Sequence, residues 1–250
     1  MTESLILGDS LTEMKKLKDN SIDFILCDPP YGMTAPEWDR VLPLAEMWEQ
    51  YERLLKPDGV IAIFSAQPFT TRLISSNQKE YKYSWYWMKN QGTNFFHAKR
   101  MPIRKIEEIC IFGGKRYYPQ MSTGHVATNS ATGVSEGKAY FGKNTRAAAG
   151  GVTERYPTNI LDFKCVSNYN RLHSSQKPVD LLEYLIKTYT LPGDVVLDNT
   201  AGSGSTVVAA IQSKRGYVAI ENDPEHFATM SRRVEEVKLS TGTPKMISAK

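Results

Sequence analysis

The chain has 250 residues, 41% hydrophobic and 23% charged, with 17 glycines, 13 prolines and 3 cysteines. That is one to two domains at roughly 150 residues each, with enough chain to bury a core, and the Gly and Pro content excludes collagen-like and low-complexity proteins. The net charge of +4 is unevenly spread: residues 1–90 carry −3, residues 91–170 carry +6 and residues 171–250 carry +1. A positive middle third favours a polyanion, nucleic acid first, against the plainer reading of a lysine-rich solvated surface. Cys27, Cys110 and Cys165 form no CxxC pair, so neither a disulfide scaffold nor a structural zinc site is expected. The N-terminus MTESLILGDSLTEMKK has no signal-peptide pattern, and no apolar run approaches the ~20 residues of a membrane span. A cytoplasmic protein is expected.

In chain order, SLIL (4–7) predicts a strand, and DSLTEMKKL a short helix capped by Asp9 or Ser10. IDFILC (22–27) predicts a buried parallel strand ending in DPPYG. Residues 41–56 have helical periodicity, and VIAIF (60–64), 81–89 and 107–113 predict further strands. From 113 to about 170 the pattern dissolves into Gly, Ser, Thr, Asn and basic residues with scattered aromatics. Such a stretch suits docking onto nucleic acid, or is a surface insertion of no particular purpose. Regularity then returns: helix 178–190, strand 195–198, helix 206–214, strand 216–221 and helix 224–239 capped by Asp223, with a frayed tail. The alternation argues for a doubly wound α/β sheet. Residues 1–112, 113–170 and 171–250 are the expected divisions.

Two motifs carry chemistry. VVLDNTAGSGST places a Gly-rich turn between a strand and a helix, where a nucleotide-like ligand meets a helix N-terminus. It is neither GxxxxGK[ST] nor a full GxGxxG, because Val207 stands where the third Gly would be. Glu221 ends the next strand, where a carboxylate can accept hydrogen bonds from ribose hydroxyls or simply cap a turn with Asp223. The second motif, Asp28-Pro29-Pro30-Tyr31, follows a buried strand. Its prolines remove two backbone donors, which leaves a rigid shelf of carboxylate, carbonyls and ring. The shelf could orient an exocyclic amino group and stack an extruded base; the plainer reading is a Pro-stiffened turn.

Jointly the motifs resemble the amino-methylating DNA methyltransferases that use S-adenosylmethionine, in their circularly permuted beta arrangement. The order here is DPPY at 28–31, a basic insertion near 113–170, SSQKP at 174–178 before a helix, and AGSG at 201–204, with LGDS at 7–10 resembling a further family element. The resemblance covers roughly residues 4–112 and 170–237. It implies a class I methyltransferase fold, a mostly parallel seven-stranded sheet with an irregular basic target-recognition insertion. It also implies roles: Asp28 and the Pro29 carbonyl, held by Pro30, bind the target amino group, and Tyr31 stacks on the flipped base. Asp198, Thr200, Gly202, Gly204 and Ser205 form the cofactor loop. Glu221 holds the ribose, Asn222 also belongs to the cofactor site, Asp9 lies by the cofactor adenine, and Lys177 lies near its methionine end. Thr200 stands where the family usually has Phe, and His173-Ser174-Ser175 replaces H-P-T.

The implied activity is direct methyl transfer to the N6 amino group of adenine in double-stranded DNA. Cytosine-N4 enzymes sometimes share DPPY. An RNA or protein-amide substrate, or a binding module without turnover, are the other readings. The resemblance allows a homodimer and a cognate restriction endonuclease as partners. No metal is expected, because the four histidines lack ligand spacing. Cys27 is expected to be a buried strand residue. The tryptophans are expected to pack rather than stack on bases, with Trp38 near the DPPY rim as the exception. Phe95 and Phe96 beside Lys99, Arg100, Arg104 and Lys105 either contact phosphate or form a plain surface segment.

Overall fold

The computed structural model describes residues 1–33, 40–130, 133–135, 144–146, 149–167 and 176–242. Trp38, His173, Ser174, Ser175 and the tail from 243 lie outside the described residues. Two compact units are formed, Met1–Tyr118 with Asn159–Lys250, and Pro119–Thr158.

The first unit is built on one mixed sheet. Its strands are β1 (Glu3–Leu7), β2 (Ile22–Cys27), β3 (Leu55–Ser65), β4 (Tyr81–Thr93), β5 (Arg104–Gly113), β10 (Ile160–Asp162), β11 (Val195–Asp198) and β12 (Gly216–Glu221). Their order is β1-β12-β11-β2-β3-β5-β4-β10. Only β5 runs against its neighbours β3 and β4. Seven strands were expected. The eighth, β10, pairs in parallel with β4 and buries Leu161, so part of the expected insertion belongs to this sheet. Its three residues are too short for a period to show in the sequence.

β2 lies at the centre and is wholly buried. Successive side chains point to opposite faces. Phe24 and Leu26 join one core with Phe64, Trp85, Trp87 and Tyr189. Ile25 and Cys27 join the other with Met47, Tyr51, Ile63 and Phe112. Burial on both faces is why the strand is apolar at every position but Asp23. Helices cover the sheet: α1 (Ser10–Met14), α2 (Leu44–Leu54), α3 (Phe69–Ser76), α4 (Val179–Tyr189), α5 (Ser205–Gln212) and α6 (Pro224–Thr241). The helix expected to run to 56 stops at Leu54, because Leu55 turns extended and pairs with Ile22 while Pro57 disfavours a helical Lys56. Trp48, Trp85 and Trp87 are packed, and their indole N–H groups reach Ser76 Oγ, Tyr189 OH and the Phe163 carbonyl.

One charged residue sits inside β2. Asp23 is 1% exposed and accepts from Lys56 Nζ at 2.7 Å, Arg116 NH1 at 2.9 Å and the Val195 N–H at 2.9 Å. Burial raises its carboxyl, but these partners outweigh it and hold the group below its ordinary value. Its cationic partners are partly exposed, so the cost of neutralising Asp23 is the loss of charge-assisted hydrogen bonds to a buried acceptor rather than the stranding of buried cations. We expect Asp23→Asn to cost about 2 kcal/mol in urea unfolding; a cost of about 0.5 kcal/mol or less would contradict this.

In the second unit, β6 (Thr128–Ser130) pairs antiparallel with β9 (Ala149–Val152), and β7 (Gly133–Ser135) with β8 (Asn144–Arg146). The expected irregular stretch therefore contains short strand pairs. Their three or four residues each, rich in Gly and Ser, carry no apolar alternation from which to read them.

The two halves of the chain meet inside the first unit. β11 lies beside β2 in parallel, Val196 opposite Phe24 and Leu197 opposite Ile25. From β11 the chain crosses through α5 to β12 on one side; from β2 it crosses through α2 to β3 on the other. The boundary between β11 and β2 is thus a topological switch point. In open α/β sheets, ligands bind beyond the carboxyl ends of strands at such a place.

Candidate active site

Both motifs leave their strands at this switch point. A cavity of about 780 Å³ opens there, a size suited to a small ligand. Every site residue expected from the sequence lines it except Gly204. Gly204 stands behind the wall, at φ +78°, where an added Cβ would lie 2.6 Å from Met230 Cγ; only glycine fits both demands. Gly202, at φ +52°, has nothing within 4 Å of the place a Cβ would take, so the loop offers bare backbone.

The Gly-rich side is held by its own hydrogen bonds. Glu221 accepts from the Gly202 N–H at 2.6 Å and the Asp223 N–H at 2.9 Å, so the carboxylate ending β12 fixes the turn leaving β11. Asp9 caps α1 by accepting from the Thr12 N–H at 2.9 Å and hydroxyl at 2.7 Å, and these bonds lower its carboxyl pKa. Asn199 accepts from Tyr51 OH at 2.6 Å and donates to Ser10 Oγ at 2.7 Å. Ser205 opens α5 and accepts from Arg233 at 3.2 Å, and Asn222 lines the cavity beside Glu221.

Thr200 joins the two motifs. Its hydroxyl donates to the Asp28 carbonyl at 3.1 Å and lies 3.3 Å from Cys27 Sγ. The replacement of the family's Phe thus substitutes a polar tie between loops for an apolar contact. Burial pushes the Cys27 thiol well up, which leaves it a packed side chain rather than a nucleophile.

On the other side is a compact charge cluster. Lys177 Nζ contacts Asp28 Oδ2 at 2.5 Å and Glu107 Oε1 at 2.8 Å, and lies 4.9 Å from the Phe64 ring centroid. Lys89 Nζ reaches Glu107 Oε2 at 3.3 Å. Tyr31 OH donates to Asp28 Oδ1 at 2.7 Å and lies 3.2 Å from Glu107 Oε1, while its ring stacks on Phe69 with centroids 5.3 Å apart. Burial raises the Asp28 carboxyl; Lys177 opposes this and Glu107 adds to it. Burial also raises Glu107, but its two lysines outweigh it and the group is held low. Lys177 is held protonated by both carboxylates against the effect of burial. It therefore sits on the DPPY side of the cavity.

Lys89 and Glu107 were not singled out in the sequence. A signal was present: Trp85, Trp87 and Lys89 alternate on one face of β4, and Glu107, Ile109 and Ile111 on one face of β5. A charged residue at the core-facing position of a strand needs a buried partner. Among the described residues no group of His, Cys, Asp and Glu could hold a metal ion, and no helix is long and apolar enough to cross a membrane.

Asp198 adds a pH dependence. Burial pushes its carboxyl up to about 7, against hydrogen bonds from the Thr206 hydroxyl and the Thr200 N–H, with Asp28 and Glu221 repelling it further. An unfolded aspartate titrates at about 3.9. A carboxyl raised on folding stabilises fully below that value, and the contribution is lost as pH climbs through about 7. Stability from this group should thus fall over that window by up to about 1.4 kcal/mol per pH unit. Asp198→Asn should flatten the slope between urea melts at about pH 5 and about pH 7. Equal slopes in both proteins would contradict the assignment.

A glycine turn and acidic strand end on one side of a switch point, facing a proline-stiffened carboxylate shelf on the other, define an α/β enzyme that pairs a nucleoside-like ligand with an amino-group acceptor. The chain belongs to the DNA methylase family, whose model matches residues 22–232. The type II methyltransferase M.HpaI of Haemophilus parainfluenzae is 27% identical over 251 residues, 94% of this chain and 75% of that protein. The DNA adenine methyltransferase YhdJ of Escherichia coli is 27% identical over 252 residues, 93% of this chain and 83% of it. Among solved structures, the M1.HpyAVI–SAM complex matches with a TM-score of 0.62 at 23% identity, over 93% of this chain and 100% of that one. The cytosine-N4-specific PvuII DNA methyltransferase matches with a TM-score of 0.63 at 17% identity, over 97% and 94%. These last two share the fold, a class I methyltransferase sheet.

Proposed function

We infer that this protein transfers a methyl group from S-adenosylmethionine to the N6 amino group of adenine in double-stranded DNA. One observation carries the reading: the Asp28 shelf and the Gly202 turn, far apart in sequence, face one cavity and are tied together by Thr200. The cavity fits the cofactor's chemistry. Bare backbone at Gly202 allows close approach, Glu221 keeps lone pairs for ribose hydroxyls, and Asp9 and Asn222 line the same side. When bound, S-adenosylmethionine supplies an electrophilic methyl group on a sulfonium sulfur.

We assign the residues' roles from the places they take on the cavity wall. Asp28 accepts one hydrogen of the target amino group. The Pro29 carbonyl accepts the other, with no competing N–H because Pro30 has none. Two acceptors in the base plane orient the nitrogen and draw electron density onto it; this is catalysis by positioning and electrostatics. Tyr31, stacked on Phe69 and lining the cavity, supplies the ring that stacks on the base. Asp28, whose affinity for a proton burial raises, takes the proton the nitrogen sheds. Lys177 and Tyr31 each touch both Asp28 and Glu107, so when the amino group engages Asp28 they move onto Glu107 and stay paired.

The name of YhdJ supports adenine over cytosine. The names of M.HpaI and M.HinfI, type II methyltransferases, support a cognate restriction endonuclease as a functional partner. The reading places the protein in the cytoplasm, with its DNA. A homodimer is part of it, tested by sedimentation equilibrium. To test the reading, the purified protein is incubated with methyl-tritiated cofactor and equal masses of unmethylated duplex DNA, RNA and protein. Label confined to DNA supports it; label in RNA or protein alone overturns it.

A further inference from the structure

The β4–β5 hairpin lines the cavity with Lys89 and Thr93 on its way out and Glu107 on its return. Its tip, residues 94–103, is a built structure. Asn94 takes the left-handed conformation at φ +74° and opens a single 3-10 turn over Phe95–His97. The His97 N–H donates to the Asn94 carbonyl at 3.1 Å, the Ala98 N–H to Phe95 at 3.1 Å, and the Arg100 N–H to His97 at 2.8 Å. Asn94 Nδ2 reaches Met101 Sδ at 3.3 Å and ties the two sides together. On this turn Phe95 is 64% exposed and Phe96 fully exposed. Lys99, Arg100, Arg104 and Lys105 follow them in the chain, all exposed, and no carboxylate occurs from 94 to 106.

Two adjacent phenyl rings held out on a fixed turn are a poor arrangement for a surface that only meets water. Rings among unopposed cations match a ligand that is both polyanionic and stackable. The cavity wall ends at Thr93, three residues from Phe96, so the two Cα atoms lie within about 11 Å. A base turned into this cavity leaves a gap in the stack it came from. Apolar side chains fill such gaps and keep the duplex open.

We propose that the β4–β5 tip is the wedge that enters duplex DNA beside the target base, with Phe96 stacking into the vacated space and Lys99 and Arg100 binding the flanking phosphates. This rests on the reading that the cavity receives a flipped base. A wedge does its work by offsetting unstacking and unpairing. Its loss must therefore matter where the target is well paired and matter little where it is not.

The test uses full-length wild type, Phe96→Ala and Phe96→Trp on two duplexes carrying the methylated sequence, one matched and one abasic opposite the target base. We expect Phe96→Ala to lower kcat/KM on the matched duplex by about tenfold to hundredfold and on the abasic duplex by no more than about threefold, with Phe96→Trp near wild type. Fluorescence of 2-aminopurine at the target position should rise with wild type and stay low with Phe96→Ala. Lys99→Ala/Arg100→Ala should reduce the slope of log affinity against log salt by about 2, close to one for each phosphate no longer neutralised. Equal losses on both duplexes, no loss on either, or an unchanged salt slope would overturn the wedge. Wild type that methylates neither duplex would instead remove the methyltransferase reading beneath it.

Discussion

Replacing Asp28 with Ala will lower methyl transfer by about 10³-fold, while the affinities for S-adenosylmethionine and for DNA stay within about threefold. In the proposed mechanism the carboxylate is needed only when the amino nitrogen is being oriented and relieved of its proton. The Gly-rich turn is held by Glu221 and Thr200, not by the Asp28 side chain. Binding should therefore survive what turnover does not. A variant that lost DNA binding in step with activity would place Asp28 in recognition, and one that kept activity would remove the shelf from the chemistry. The same residue sets the acid side of the pH profile. Burial raises the Asp28 carboxyl, so kcat/KM should begin to fall at a pH above the ordinary carboxylate range as acid protonates its acceptor oxygen.

The second large effect concerns Glu107, and its sign separates a chemical role from a merely structural one. Glu107 holds Lys89 and Lys177 and repels Asp28. Glu107→Gln keeps the shape and removes one negative charge from a cluster of two carboxylates and two ammonium groups. We expect kcat to drop by about 10²-fold, since Lys177 and Tyr31 are left with only a neutral amide oxygen as their alternative acceptor and compete with the base for Asp28. The acid limb should move to lower pH, because Asp28 loses a repelling neighbour. Lys177→Met should move that limb the other way, because Asp28 loses the cation that favours its charged form. Limbs moving in the same direction in both variants would show that the cluster does not tune Asp28. Glu107→Ala is the poorer probe, because stranding two buried lysines is expected to cost about 3 to 5 kcal/mol of stability.

Much of the architecture was legible because its signals are local. A short run, apolar but for Asp23 and followed by Asp28 and a double proline, reads better as a buried strand than as a helix, and β2 forms over Ile22–Cys27. Asp223 before Pro224 announces the start of α6, and its side chain accepts from the Glu225 and His226 N–H groups. What the sequence hid depends on distant partners. Glu107 meets Lys177 across seventy residues, and nothing near either marks the pair. Thr200 reads in the sequence as the loss of an apolar neighbour, whereas its hydroxyl donates to the Asp28 carbonyl, 172 residues away. β10 and the strand pairs between 128 and 152 are too short to carry a period. α3 went unread as well, because only Phe69, Leu73 and Ile74 mark its apolar face within eight residues.

The most direct measurement is the chemical identity of the product. Purified protein is incubated with unmethylated duplex DNA and S-adenosylmethionine, the DNA is digested to nucleosides, and these are resolved by mass spectrometry. The account predicts N6-methyladenine, absent when Asp28→Ala replaces the wild type. N4-methylcytosine would keep the shelf and the transfer but contradict the assigned base, and no modified nucleoside at all, with cofactor binding intact, would contradict the account at its centre.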